Sequence, residues 1–147
     1  MTLEYVAPAT MEMARDMAGR LTPLDLREIR AGGSKPLRSL ENGVIASDET
    51  WAYLKDGRPF AIAGISDGLI WLLTARDMKQ RDAAWFFARR ARADLAERLS
   101  RWGRLGGVIY DKNTPHKRLL EWLGFEFGDC LEFNGHAFRK FWRNPDV

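Results

Sequence analysis

With 147 residues, 46% of them apolar and 29% charged, the chain has the composition of an ordinary soluble globular protein, and one domain over residues 1–147 is expected. Its net charge of +3, from 23 basic and 20 acidic residues, does not predict nucleic acid as a specific ligand, because that footprint requires basic residues gathered on one face. A single cysteine, Cys130, excludes an internal disulfide and a zinc site built on cysteine pairs, and no apolar run is long enough for a membrane-spanning helix.

The start, Met-Thr-Leu-Glu-Tyr, lacks the basic and apolar stretches of a signal peptide, so synthesis in a cytoplasm is expected. Leu3 to Val6 reads as a strand ended by Pro8, after which Thr10 can cap a helix from about Met11 to Gly19. Thr22-Pro23-Leu24-Asp25 combines a capping residue, a first-turn proline and an early acid; the helix it opens runs through Leu26 and Ile29 and stops at Gly32-Gly33. Pro36 begins a third helical stretch, interrupted in pattern by Asn42-Gly43.

From Glu49 the period changes to that of strands. Trp51 to Lys55 and Phe60 to Ile65 form a hairpin around Asp56-Gly57, and Ser66-Asp67-Gly68 turns into Leu69-Ile70-Trp71-Leu72-Leu73. That last run is continuously apolar, which predicts a central strand buried on both faces. A long helix covers roughly Gln80 to Trp102, with Ala84, Phe87, Ala91, Leu95 and Leu99 on one stripe and Arg89, Arg90, Arg92, Arg98 and Arg101 mostly away from it, where they read as a solvated surface in preference to a contact with nucleic acid or acidic partners. Trp85, Phe86 and Phe87 are consecutive and cannot all face one side of it.

Val108 to Tyr110 is a short strand core closed by Asp111-Lys112-Asn113. Thr114 is placed to cap the next helix and Pro115 suits its first turn. Leu119, Leu120, Trp122 and Leu123 give that helix an apolar face, and Gly124 supplies its left-handed stop before Phe125. Two final runs, Glu126 to Phe133 and His136 to Trp142, flank the hairpin turn Asn134-Gly135.

Two residues of this segment are candidates for chemistry. Asn113 can bind a cofactor or substrate, or satisfy the backbone of a turn; His116 can act as a general base, or face solvent or a neighbouring loop, since no partner carboxylate is identifiable. His136 lies twenty residues from His116 at a hairpin start, and the pair alone is a weak basis for a metal site, so none is expected; Cys130 reads as a small strand residue.

The order of elements, a strand, helices, an antiparallel meander, then strand-helix-strand-helix-strand-strand, defines a mixed α/β sheet flanked by helices. It resembles the GNAT (Gcn5-related N-acetyltransferase) fold over nearly the whole chain. The resemblance implies a mostly antiparallel sheet in which the strands at Leu69–Ala75 and Leu105–Tyr110 are parallel and splay apart, with acetyl-coenzyme A in the gap. Asn113 followed by Leu119-Leu120-Glu121-Trp122-Leu123-Gly124-Phe125 matches the family's strand-end asparagine and Gly-Phe helix end. Two departures stand against ordinary acetyl transfer. The turn Thr74 to Ala83 has none of the glycines by which the family brings bare backbone to a pyrophosphate, although Arg76, Lys79 and Arg81 are candidate cofactor-binding residues that can offset Asp77 and Asp82. Leu120 stands where the family's usual tyrosine acid falls and cannot give up a proton.

The pieces Asp56-Gly-Arg-Pro-Phe-Ala-Ile-Ala-Gly64, Trp71-Leu-Leu-Thr-Ala-Arg-Asp77, Asn113-Thr-Pro-His-Lys-Arg-Leu-Leu-Glu-Trp-Leu-Gly-Phe125 and Phe138-Arg-Lys-Phe141 together look like a family of acetyltransferase-like tailed-phage proteins. Its best-known member is the small internal virion protein of short-tailed phages. This resemblance implies a non-catalytic virion component involved in ejection, with no cofactor, with other phage virion proteins as partners, and located in the virion after synthesis in the host cytoplasm. The alternative is an acetyl-coenzyme A-dependent N-acetyltransferase with a divergent pyrophosphate turn.

Overall fold

A computed structural model describes residues 2–146. In chain order the elements are β1 (Leu3–Val6), α1 (Met11–Ala18), α2 (Pro23–Ala31), α3 (Pro36–Ala46), β2 (Glu49–Lys55), β3 (Arg58–Ser66), β4 (Leu69–Thr74), a 3-10 turn (Arg76–Lys79), α4 (Arg81–Trp102), β5 (Leu105–Tyr110), α5 (Thr114–Trp122), β6 (Glu126–Phe133) and β7 (His136–Arg143). They form one seven-stranded sheet in the order β1-β2-β3-β4-β5-β7-β6. Every neighbouring pair is antiparallel except β4 and β5.

The parallel pair is joined at a single register position, Leu69 opposite Gly106, where the Gly106 N–H donates to the Gly68 carbonyl at 3.2 Å. Beyond that point the two strands part, and the sheet forks. The expected burial of β4 on both faces is therefore corrected: Leu73 is buried, Ile70, Trp71 and Leu72 are half-buried, and Leu69 is exposed. An inner strand that lacks a neighbour along most of one edge opens its faces to the fork.

The core lies between the sheet and its helices. α1 and α3 pack on β3, and α4 lies along β2, where the Tyr53 ring meets Phe87 edge-on with centroids 4.9 Å apart. α3 runs without a break through Asn42-Gly43. Gly43 serves packing there: a Cβ at Gly43 would come within 2.8 Å of the Trp71 ring, and one at Gly64 within 2.6 Å. The indole fills the space left by both missing side chains and donates from Nε1 to Ser47 Oγ at 2.9 Å.

Three local expectations are corrected. The capping position of α5 is Asn113, and Thr114 is the first helical residue; the Asn113 side chain makes no capping bond because it is engaged elsewhere. Thr22 precedes α2 without a side-chain cap, its hydroxyl instead lying 3.3 Å from that of Thr74. Arg98 leaves the solvated face of α4: it is 3% exposed, stacks 3.6 Å over the Trp51 ring and places Nε 2.9 Å from Glu49 Oε1. Burying the guanidinium is tolerated because the ring and the carboxylate replace its water. Of the aromatic trio on α4, Phe87 is buried, Phe86 half-buried and Trp85 exposed.

Candidate functional site

The fork is closed at its wide end by residues from α2 and α5. Asp25 and Ile29 stand one turn apart on α2 and share its inward stripe, so the acid enters the core with the apolar residue. Asp25 is 2% exposed. Its Oδ2 accepts both the Thr74 N–H, at 2.9 Å, and the Thr74 hydroxyl, at 2.7 Å, at the end of β4. Glu28, three residues on, accepts the Tyr110 N–H at the end of β5 with Oε1, at 3.0 Å.

Asn113 links the two acids. Its Nδ2 donates to Asp25 Oδ1 at 2.8 Å and to Glu28 Oε1 at 3.3 Å, and the residue is 1% exposed. His116 follows on the first turn of α5 with Nδ1 3.5 Å from Asp25 Oδ1 and its side chain 11% exposed. Both candidates thus face inward, and His116 has the carboxylate partner that the sequence did not reveal. The sequence marks Asp25 only as an early helix acid and gives Glu28 no role. The usable signal was spacing, since Asp25 falls four residues before the core residue Ile29.

Burial raises the cost of every charge here, and hydrogen bonding decides the outcome. For His116, burial disfavours the imidazolium, but the Asp25 carboxylate 3.5 Å from Nδ1, with Glu28, outweighs it and lifts the pKa above the ordinary value. For Asp25, burial works against ionisation and is overcome by His116, Thr74 and Asn113, which hold the carboxyl below its usual range. For Glu28, burial wins, and the carboxyl is pushed up.

Two cavities meet at this cluster. One, of about 450 Å³, includes Glu28, Trp51, Tyr53, Trp71 and Asp94 in its wall; the other, of about 400 Å³, includes Asp25, Thr74, Met78, Lys79 and Asn113. His116, Leu72 and Phe87 border both. Leu120 is buried and lines the larger cavity.

The glycine-free turn beside the smaller cavity is folded as the 3-10 turn and leads directly into α4. Its acids are already neutralised: Asp77 Oδ1 is 3.1 Å from Arg20 Nη1, and Asp82 Oδ2 is 3.0 Å from Lys55 Nζ while its Oδ1 accepts the Ala83 N–H at 2.8 Å. Arg76, Lys79 and Arg81 are exposed, and none has an ion-pair or side-chain hydrogen-bond partner among the described residues. The turn therefore presents net positive charge. The remaining sequence candidates lie outside the cluster: His136 meets the Tyr110 ring edge-on, Cys130 is exposed on β6, and no group of three or more His, Cys, Asp or Glu residues able to hold a metal occurs among the described residues.

No family model and no curated protein sequence matches the chain. Solved structures do match it along its whole length. An acetyltransferase of the GNAT family from Streptococcus pneumoniae is 12% identical with a TM-score of 0.64, covering 99% of this chain and 100% of its own. RimL, a ribosomal L7/L12 α-N-protein acetyltransferase solved with coenzyme A, is 11% identical with a TM-score of 0.67, covering 99% and 96%. AAC(6')-Ib, solved with ribostamycin and coenzyme A, is 15% identical with a TM-score of 0.65, covering 98% and 94%. Identities this low carry the fold alone, and the fold is that of the GNAT acetyltransferases.

Coenzyme A, which that fold implies, fits the residues present in a divergent way. The smaller cavity is mainly apolar, as an acyl-bearing arm requires, and three unpaired cations surround the start of α4. Contact to phosphates would come from these side chains rather than from glycine-exposed backbone.

Proposed function

We propose that the chain is an acyl-coenzyme A-dependent N-acyltransferase with a side-chain-based phosphate contact. The observation that carries this reading is the meeting of two cavities at His116, whose Nδ1 faces the buried Asp25. Bound acyl-coenzyme A would supply an activated acyl thioester. Arg76, Lys79 and Arg81 hold its phosphates, and the smaller cavity holds its arm. Asp25 beside it favours the protonated form of His116, whose Nε2, which makes no hydrogen bond among the described residues, is the donor for the proton that Leu120 cannot offer. Asn113 holds the two carboxylates and so fixes the imidazole's position.

Calorimetric titration with acetyl-coenzyme A tests this reading. Binding tighter than about 100 μM, roughly −5.5 kcal/mol, is expected, and no heat at millimolar ligand would overturn it.

A second reading is favoured by the turn and by Leu120. A GNAT fold whose phosphate turn has no glycine, and whose usual acid position is a buried leucine, also suits a protein that has kept the architecture without the reaction. Together with the tailed-phage resemblance this supports a virion component, synthesised in the host cytoplasm and acting through contacts with other phage proteins. Mass spectrometry of purified virions tests it, and absence of the chain from the particle would exclude it.

A further inference from the structure

We propose that the 450 Å³ cavity accepts a compact primary amine with an aromatic-sized apolar body, its ammonium group set against Glu28. The inference rests on the acyl-transfer reading only in calling this ligand the acyl acceptor.

The wall of the cavity selects charge first. No lysine or arginine lines it, whereas Glu28 and Asp94 do. Asp94 is already committed, accepting the Tyr53 hydroxyl at 2.7 Å and lying 3.5 Å from Arg90 Nη2. Glu28 is committed by one oxygen only: Oε1 accepts from Tyr110 and Asn113, and Oε2 has no hydrogen bond among the described residues. A half-buried carboxylate with one free oxygen facing a mainly apolar cavity is a costly group, and an ammonium donor at that oxygen offsets the cost. His116, which also borders the cavity, has its Nδ1 3.5 Å from Asp25 and makes no hydrogen bond to Glu28. An anionic ligand meets acids here and no cationic side chain other than His116.

The same wall selects shape. Half-buried Trp71 lines the cavity together with Phe87, and Tyr53 and Trp51, the latter with Arg98 stacked on its ring, complete an aromatic wall that suits an apolar body. Trp71 is held in place by Gly43, Gly64 and Ser47, so this wall is fixed before a ligand arrives. A ligand rich in hydroxyls would leave most of them unpaired against these rings. The volume falls in the lower part of the range for small-molecule pockets, which sets the size at about one ring with a short side chain.

The test compares three probes of one shape on the full chain without coenzyme A, followed by tryptophan fluorescence: 2-phenylethylamine, 2-phenylethanol and 3-phenylpropionate. The amine is expected to bind at least about tenfold more tightly than the alcohol, with the carboxylate weakest, and Glu28→Gln is expected to abolish the difference. Equal affinities in the unaltered protein, or no saturation by about 10 mM amine, would overturn the proposal whatever the stability of the variant. Amine preference without acetyl-coenzyme A binding upholds this site and removes the acyl-transfer reading. Binding of acetyl-coenzyme A with no preference among the three probes upholds that reading and removes this one.

Discussion

Asp25 and Glu28 stand three residues apart on α2, and each accepts the terminal backbone N–H of a different strand, Asp25 from Thr74 on β4 and Glu28 from Tyr110 on β5. A forked sheet leaves inner-edge N–H groups without ladder partners, and leaving such donors buried and unpaired costs about 1–3 kcal/mol each. The two acids remove that cost. Their own burial is in turn relieved by Asn113 and His116, which ties the candidate chemistry directly to the support of the fold.

Stability should depend on the His116 proton. Its folded pKa lies above the ordinary 6.5, so its contribution is complete below pH 6.5 and is lost as pH rises through the folded value. Asp25 works at the other end: its folded pKa lies below 3.8, and its contribution is present above 3.8 and lost as pH falls through the folded value. Urea midpoints measured from pH 5.5 to 9 are expected to fall on the alkaline side. His116→Gln should flatten that fall and cost about 2 kcal/mol at neutral pH. An unchanged slope in the variant would separate His116 from the pH dependence.

Asn113→Asp is nearly isosteric and should still be severe. It would bring a third carboxyl to within about 3 Å of Asp25 and Glu28 in a buried setting, at a cost of about 3–5 kcal/mol near neutrality. Partial recovery of the thermal midpoint toward pH 5, as a proton returns to the cluster, is the expected signature.

Gly64→Ala tests the packing of Trp71. The added methyl would sit 2.6 Å from the ring, and its displacement should cost about 1–3 kcal/mol. A changed near-ultraviolet circular dichroism spectrum, reporting loss of the Trp71 to Ser47 bond, should accompany the lower stability.

Replacing Arg76, Lys79 and Arg81 together with glutamine should weaken acetyl-coenzyme A binding by roughly tenfold or more, and most at low salt. Because the three side chains are exposed and unpaired, the unfolding free energy should change by no more than about 0.5 kcal/mol. Unaltered affinity would show that phosphates are held elsewhere.

The strands and helices were legible because their signals are local. Asp56-Gly57 and Asn134-Gly135 form the turns that the dipeptides announce, with positive φ at each residue, and Thr10 caps α1 by accepting the Met13 N–H. What was not legible depends on residues far apart in sequence. Asp25 meets Asn113 across 88 positions, so neither the burial of the asparagine nor the partner of His116 could be read from its own neighbourhood. Arg98 looked like a surface residue until Trp51 and Glu49 were brought beside it. The apolar run of β4 suggests full burial for a related reason: greasy residues serve a cavity wall as well as a closed core, and periodicity does not distinguish the two.

The spacing of Asp25 and Glu28 also acts as a gauge. Three residues of α-helix hold their side chains at a separation set by covalent geometry and largely insensitive to solution conditions. Because Thr74 and Tyr110 are each fastened to one end of that interval, the breadth of the opening is built in when α2 folds, and an arriving molecule has no strands to prise apart. Its binding free energy can then go to discrimination, since the work of separating the strands has already been done by folding.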